Sequence, residues 1–353
     1  MNLDTQKILK TLNPNKIWLP VAISVGFVAF LIITDENFTA QKINLVFEAR
    51  IFPIALAFGV LLIKELAYIY RIRTLTNEEI SWTNSVYVIM LWEFASAVTP
   101  SVVGGTAVAV FILLKEGINL GKSIAYVMLT AILDNLFFVI FAPIALLIIG
   151  PEQFPDFEGT LKGLFITSYS LIAIYTMVMV FALFFRPRLF KWILIKITSI
   201  KVLRRWRYAA YQHGNEVMWA SMLIRGKQKR YWTKIIMATI VSWVARYAIL
   251  NCLIAAYAQN LFFKDHLLIL GKHLILWVVM LVSPTPGGSG LAENFFIEFF
   301  NVYLHEFTLG VTLLWRLLTY YPYLIIGAII LPRWVKKVFF KGKKKPDYVQ
   351  GQA

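Results

Sequence analysis

Apolar residues gather into long runs separated by short polar stretches, at about 17–34, 51–70, 82–114, 123–149, 161–185, 231–258, 266–303 and 308–331. A helix needs roughly 20 predominantly apolar residues to cross a bilayer, so the pattern predicts an all-α polytopic integral membrane protein. Two runs are too long for one crossing, and each is interrupted near its middle, 82–114 by "VTPSVVGG" and 266–303 by "SPTPGGSG". Lipid offers no partner to a free backbone N–H or C=O, so non-helical backbone at that depth must be buried in protein or line a wet cavity. Each interrupted run therefore predicts a broken or re-entrant helical hairpin with helix termini inside the bilayer. The N–H groups at a helix N-terminus favour an anion. In the first break Thr99 and Pro100 suit an N-cap followed by proline at the first helical position. Ser101 follows, and Gly104 and Gly105 let a headgroup or a neighbouring helix come close. In the second break Pro284, Pro286, Gly287, Gly288, Ser289 and Gly290 offer similar chemistry. Glu293 falls in the first turn of the second arm.

Charge orients the runs. The chain carries 35 Lys and Arg against 19 Asp and Glu, a net +16. That balance points to nucleic acid only if it is diffuse, and it is not: Arg186–Arg230 and Arg333–Lys345 hold the two dense basic clusters, each beside an apolar run. They read as cytoplasmic surfaces facing anionic lipid heads, with no nucleic-acid partner. With residues 1–16 and the tail 332–353 both cytoplasmic, and each long run returning to its own side, the loop 150–160 falls outside. It carries Glu152, Asp156 and Glu158 and no basic residue. The first hairpin then enters from the cytoplasm and the second from outside, which predicts an inverted repeat. Its halves are 17–185 and 231–331, joined by a basic surface linker, 186–230, whose helical periodicity is poor. The expected location is the cytoplasmic (inner) membrane, with a tail disordered beyond Lys345.

Ionisable residues inside spans are costly and mark function by default. Arg246 lies near the middle of its run and Arg316 within "TLLWRLLTYYPYL". Arginine keeps its charge when buried and binds phosphate bidentately. Both are candidates for holding an anionic headgroup, together with the residues of the two breaks. Glu93, Asp134 and Glu293 would balance these arginines or take up protons. The alternative, static Arg–carboxylate ties between helices, stays open. Lys64 and Lys115 lie near segment ends and read as snorkelling to the interface. Trp18, Trp82, Trp232 and Trp334 fit an interfacial belt. No nucleophile–base arrangement, Walker motif or zinc-site spacing occurs, so no catalytic residue, metal or cofactor is assigned.

"TPSVVGGTAVAVFILLKEG" (99–117) and "PTPGGSGLAE" (284–293) resemble the signatures of the lysylphosphatidylglycerol synthase transmembrane-region family, a flippase-like membrane module. Arg246 and "WRLLTYYP" (Trp315 to Pro322) match its intramembrane arginine and aromatic residues. The resemblance spans roughly 15–335. It implies a compact inverted-repeat bundle with paired re-entrant elements and a role in moving or handling a membrane lipid. The aminoacyl-transfer domain of bifunctional members is absent from these residues, so lysine transfer from charged tRNA is not expected. The leading expectation is a lipid translocator, more a transporter than an enzyme, acting on a phospholipid or polyprenyl-phosphate lipid. The alternatives are a membrane enzyme or accessory subunit acting on such a lipid, and a partner that docks a separate synthetase through 186–230.

Overall fold

Long apolar runs without competing turn residues give long helices, and among the described residues every regular element is helical. The computed structural model describes residues 48–99, 102–150, 160–258, 260–281, 285 and 288–340. The expected helix at 17–34, the acidic loop, the tail beyond 340, Trp18, and Pro100, Ser101, Pro284, Pro286 and Gly287 lie outside them. The helices are α1 (Ile51–Leu75), α2 (Trp82–Val98), α3 (Val102–Lys115), α4 (Leu120–Ile149), α5 (Thr160–Val180), α6 (Pro187–Ile197), α7 (Arg207–Ile224), α8 (Lys229–Tyr257), α9 (Phe263–Met280), α10 (Leu291–Leu304), α11 (Thr308–Thr319) and α12 (Tyr321–Phe340). Five stretches are long and apolar enough to span a bilayer. Large apolar side chains on their outer faces, such as Leu62, Leu147 and Ile174, are more than half exposed, as a lipid-facing surface requires. This is an all-α polytopic membrane protein.

Helices α1 and α8 run antiparallel along most of their length and frame the bundle. At one end the Arg50 N–H donates to the Ala256 carbonyl at 3.0 Å. At the other the Tyr231 hydroxyl donates to the Leu75 carbonyl and Lys227 to the Asn77 side chain. Both interrupted runs are helical hairpins. The first has arms α2 and α3 of 17 and 14 residues, roughly 26 and 21 Å at 1.5 Å per residue. Both fall short of the roughly 30 Å hydrocarbon core. Its mouth lies at the Leu75 end: Glu79 pairs with Lys122 at the start of α4, and Lys337 of α12 donates to Asn84 in α2 and Glu116 after α3. The second hairpin, α9 and α10, has its mouth at the Arg50 end, where Asn251 donates to the His266 carbonyl and Tyr257 packs on Phe307 at 5.3 Å. The two hairpins thus open toward opposite ends of the α1–α8 pair.

Their tips converge on one side chain. The Tyr320 hydroxyl donates to the carbonyl of Ala97, in the last turn of α2, at 2.9 Å and shares a hydrogen bond with Ser289, just before α10. Tyr320 is free to do this because the run expected as one segment, 308–331, is two helices broken at that residue. Pro322 lacks an N–H and its ring crowds the carbonyl four residues back, so it ends one helix and opens the next. Pro143, by contrast, lies inside a continuous α4.

Three further expectations are corrected. Thr99 closes α2 rather than capping α3: its hydroxyl donates back to the Ala95 carbonyl at 2.6 Å, and α3 begins at Val102. The linker 186–230 is largely helical, as a surface link can be, but the poor periodicity expected of it does not hold over α6, which is amphipathic. Leu189, Trp192, Ile193 and Ile197 form an exposed stripe on α6, which buries no residue. A break at 198–200 shifts the helical phase, which hid that stripe in a long window. Trp334 does not face the lipid as a belt residue would: it is fully buried, packed on Phe111 and donating to Glu116 at 2.7 Å.

The apolar core divides in two. One cluster surrounds the first hairpin and α12, the other the second hairpin and α11. Three helices contribute to both. On α1 the changeover falls between Ala57 and Tyr68, on α4 between Leu133 and Phe137, and on α8 between Ile235 and Trp243. Lys64, Asp134 and Thr239 occupy those intervals.

Candidate functional site

Helical spacing puts side chains three and four apart on one face. Lys64, Tyr68 and Arg71 share such a face of α1, and Thr239, Trp243 and Arg246 share one of α8. Antiparallel packing sets the two triplets against each other: Arg71 donates to Thr239 at 3.1 Å, and Arg246 reaches the Tyr68 hydroxyl at 3.4 Å. Between them α2 inserts Glu93. One of its oxygens accepts from Arg246 at 2.7 Å and from Lys64 at 3.2 Å. Lys64 also donates to Glu65 and to the Tyr323 hydroxyl, both at 2.7 Å, and Tyr323 donates to Glu65. From α4, Asp134 accepts both guanidinium arms of Arg71, and Trp243 Nε1 donates to it at 2.8 Å. Three cations, Lys64, Arg71 and Arg246, therefore face three carboxylates, Glu65, Glu93 and Asp134. The rings of Tyr68, Trp243 and Trp277 surround the Arg246 guanidinium at 5.6, 5.1 and 4.9 Å.

Arg316 lies in a second, separate site. Its Nε donates to Glu293 at 2.9 Å, and the other Glu293 oxygen accepts the Gly290 N–H at 2.6 Å. Glu293 thus ties the start of α10 to α11, in the first turn where the helix dipole favours a carboxylate. Arg246 and Arg316 are not in contact. Between them runs a file of rings, Trp243 to Tyr247 at 6.1 Å, Tyr247 to His273 at 5.1 Å and His273 to Trp315 at 5.6 Å.

The two sites differ in access. In the first, the side chains of Glu93, Asp134 and Arg246 keep 20%, 22% and 12% of their surface exposed, although each lies well inside its helix. In the second, Arg316 keeps 4% and Glu293 none. A sealed ion pair holds helices together. An open one can exchange a partner without first paying the full desolvation of both charges. Arg246 Nε, Glu65 Oε2, Tyr247 Oη and Trp277 Nε1 are buried without a hydrogen-bond partner, a costly state in an apolar interior unless another molecule completes it.

Sequence reasoning found Arg246, Glu93 and Asp134 but misread Lys64 and missed Arg71. Lys64 is not snorkelling: it is 2% exposed and sits midway along α1. Arg71 was hidden because the apolar run ends near residue 70 while α1 continues to Leu75. The signal was the seven-residue spacing from Lys64 to Arg71, two turns of one face. Among the described break residues, Gly105 packs directly on Ser96 across the first hairpin, and Gly288 and Gly290 adopt left-handed backbone at the second tip. Gly104 lies within the first turn of α3. Among the described residues no group of three His, Cys, Asp or Glu side chains is placed to hold a metal.

A family model described as the lysylphosphatidylglycerol synthase TM region matches residues 17–327, most of the chain. A UPF0104 membrane protein of Archaeoglobus fulgidus is 27% identical over 282 residues, covering 75% of this chain and 81% of that protein.

Proposed function

The chain belongs to the lysylphosphatidylglycerol synthase transmembrane-region family, and we propose that it translocates a membrane lipid by holding the lipid's polar head at the Arg246–Glu93 cluster. The observation that carries this reading is the partial access of Arg246, Glu93 and Asp134, side chains that lie well inside their helices. The substrate class follows from the charge count. With three cations already facing three carboxylates, a head carrying both signs costs the cluster least. Its phosphate would take the Arg246 guanidinium bidentately, and its ammonium would take the Glu93 carboxylate. A head that carries negative charge alone, as on a polyprenyl phosphate, would have to displace Glu93 or neutralise it by a proton.

The tails would remain in the bilayer while the head crosses between the hairpin tips. We take the two hairpins to be counterparts in an inverted repeat that exposes the cluster to each leaflet in turn. On this reading the halves are 17–185 and 231–331, the basic segment 186–230 and both termini lie on the cytoplasmic side of the inner membrane, and Arg316–Glu293 latches the second hairpin. Arg316 would reach the head only when that latch opens.

The test is reconstitution of the full chain in vesicles with fluorescent phospholipid analogues and, separately, a polyprenyl phosphate. Leaflet exchange that falls at least tenfold in Arg246→Lys, with unchanged folding, supports the reading, because lysine keeps the charge but loses the bidentate fork. Exchange indifferent to Arg246→Lys overturns it. A chemically altered lipid would transfer the site to an enzyme acting on the same head.

A further inference from the structure

The outer side of the α1–α8 pair carries a feature that the interior cluster does not use. Turned away from Lys64, Tyr68 and Arg71, Ile63, Leu66 and Tyr70 of α1 face Met237 and Val241 of α8 across a cavity of about 560 Å³. Ala67 and Ala238 form its floor, and their small size opens the space between two helices that otherwise pack closely. The α8 side is one continuous stripe, residues 230, 233, 234, 237, 238 and 241, and its polarity is graded. Arg230, Thr233 and Lys234 line the end near Leu75; apolar residues line the rest. No carboxylate among the described residues pairs with Arg230 or Lys234. Arg230 and Thr233 are exposed and Lys234 is half-buried.

The length of the stripe decides the occupant. From Arg230 to Val241 the helix rises about 16 Å, close to half of the roughly 30 Å hydrocarbon core. A groove of that length fits the acyl chain of a lipid from one leaflet, with its head at the end where two cations and a hydroxyl wait. We propose that this groove is a binding site for one acidic glycerophospholipid of the leaflet on the side of the basic 186–230 segment. The phosphate lies between Arg230 and Lys234, and one chain lies over Ala67 and Ala238. Charge selects the lipid: two cations without a carboxylate favour a net-negative head over a zwitterionic one. The site is separate from the Arg246 cluster and does not rest on the translocation reading.

The test is lipid retention by the full chain, read by native mass spectrometry after exchange into micelles doped with equal phosphatidylglycerol and phosphatidylcholine of matched chains. The expected result is retention of one phosphatidylglycerol in preference to phosphatidylcholine. Arg230→Gln with Lys234→Gln should lower that preference by roughly tenfold to thirtyfold, taking the contribution of each cation at a membrane surface. Thr233→Trp, a change at an exposed position that fills the groove, should lower retention of both lipids. Arg204→Gln with Arg205→Gln, which removes equal charge from the basic segment away from the groove, should change neither. Equal retention of both lipids by the unaltered chain overturns the proposal. So does an equal loss in both double variants, because the basic surface as a whole, not the groove, would then be selecting the lipid.

Discussion

Glu93→Ala removes the carboxylate that two cations share, and the two are not left in the same condition. Lys64 keeps Glu65 and the Tyr323 hydroxyl, each at 2.7 Å. Among the described residues Glu93 is the single carboxylate bonded to Arg246, which is left with the Tyr68 hydroxyl at 3.4 Å and aromatic faces. Removing one member of a buried ion pair costs about 3–5 kcal/mol, because the other charge stays behind uncompensated. Glu93 is one-fifth exposed, so some solvent reaches the site and the low end applies, about 3 kcal/mol. Most of that loss is an orphaned guanidinium, and Arg246→Met removes the orphan. The double variant should therefore recover about 2 kcal/mol relative to the sum of the single changes, within the range for residues in contact. Lys64→Met in place of Arg246→Met should recover less than about 1 kcal/mol, since Lys64 was never orphaned. Reversible unfolding in mixed micelles of increasing dodecyl sulfate fraction, followed by tryptophan fluorescence, gives the four corners of each cycle. Additivity of Glu93→Ala and Arg246→Met to within about 0.5 kcal/mol, or a better rescue by Lys64→Met, would show that Arg246 is not the charge left uncompensated.

Two further outcomes bear on the hairpins. A Cβ at Gly105 would lie 2.2 Å from Ser96 Oγ and 3.3 Å from Ser96 Cα, so Gly105→Ala should destabilise the first hairpin by about 1–3 kcal/mol, and Ser96→Gly in the same chain should restore most of it in the same micelle titration. With Cys252 changed to Ala, Glu78→Cys and His305→Cys should react with a membrane-impermeant maleimide from opposite sides of sealed vesicles, whereas labelling from one side would contradict the opposed mouths.

Much of the architecture was legible because membrane helices are chosen by a single dominant force. Among the described residues, the long apolar runs between 51 and 258, the two over-long runs and the isolated charges at mid-run had direct structural counterparts. What was not legible depended on partners distant in sequence. Nothing local to Glu93 announces that it meets Lys64, 29 residues away, and Arg246, 153 residues away. Asp134 could as well have met Arg246, but the antiparallel offset of α1 and α8 brings Arg71 to it instead. Arg71 was missed and Lys64 discounted for a reason built into hydropathy itself, since a cation near the edge of an apolar run looks the same whether it snorkels outward or turns into the bundle. The break at Tyr320 was readable in principle from Pro322. Pro143 shows why such a sign is ambiguous: neighbouring helices re-satisfy a freed carbonyl in one place and leave a helix end in another.

The claim that matters most is that a lipid head resides beside Arg246 rather than Arg316. A photo-reactive benzoylphenylalanine in place of Trp277, which flanks Arg246 at 4.9 Å, or in place of Trp315, which lies beside the sealed pair at 5.0 Å, would report it in native membranes. The account predicts a lipid adduct from position 277 that disappears with Arg246→Met, and none from position 315. An adduct from 315 alone, or one at 277 that survives Arg246→Met, would contradict it.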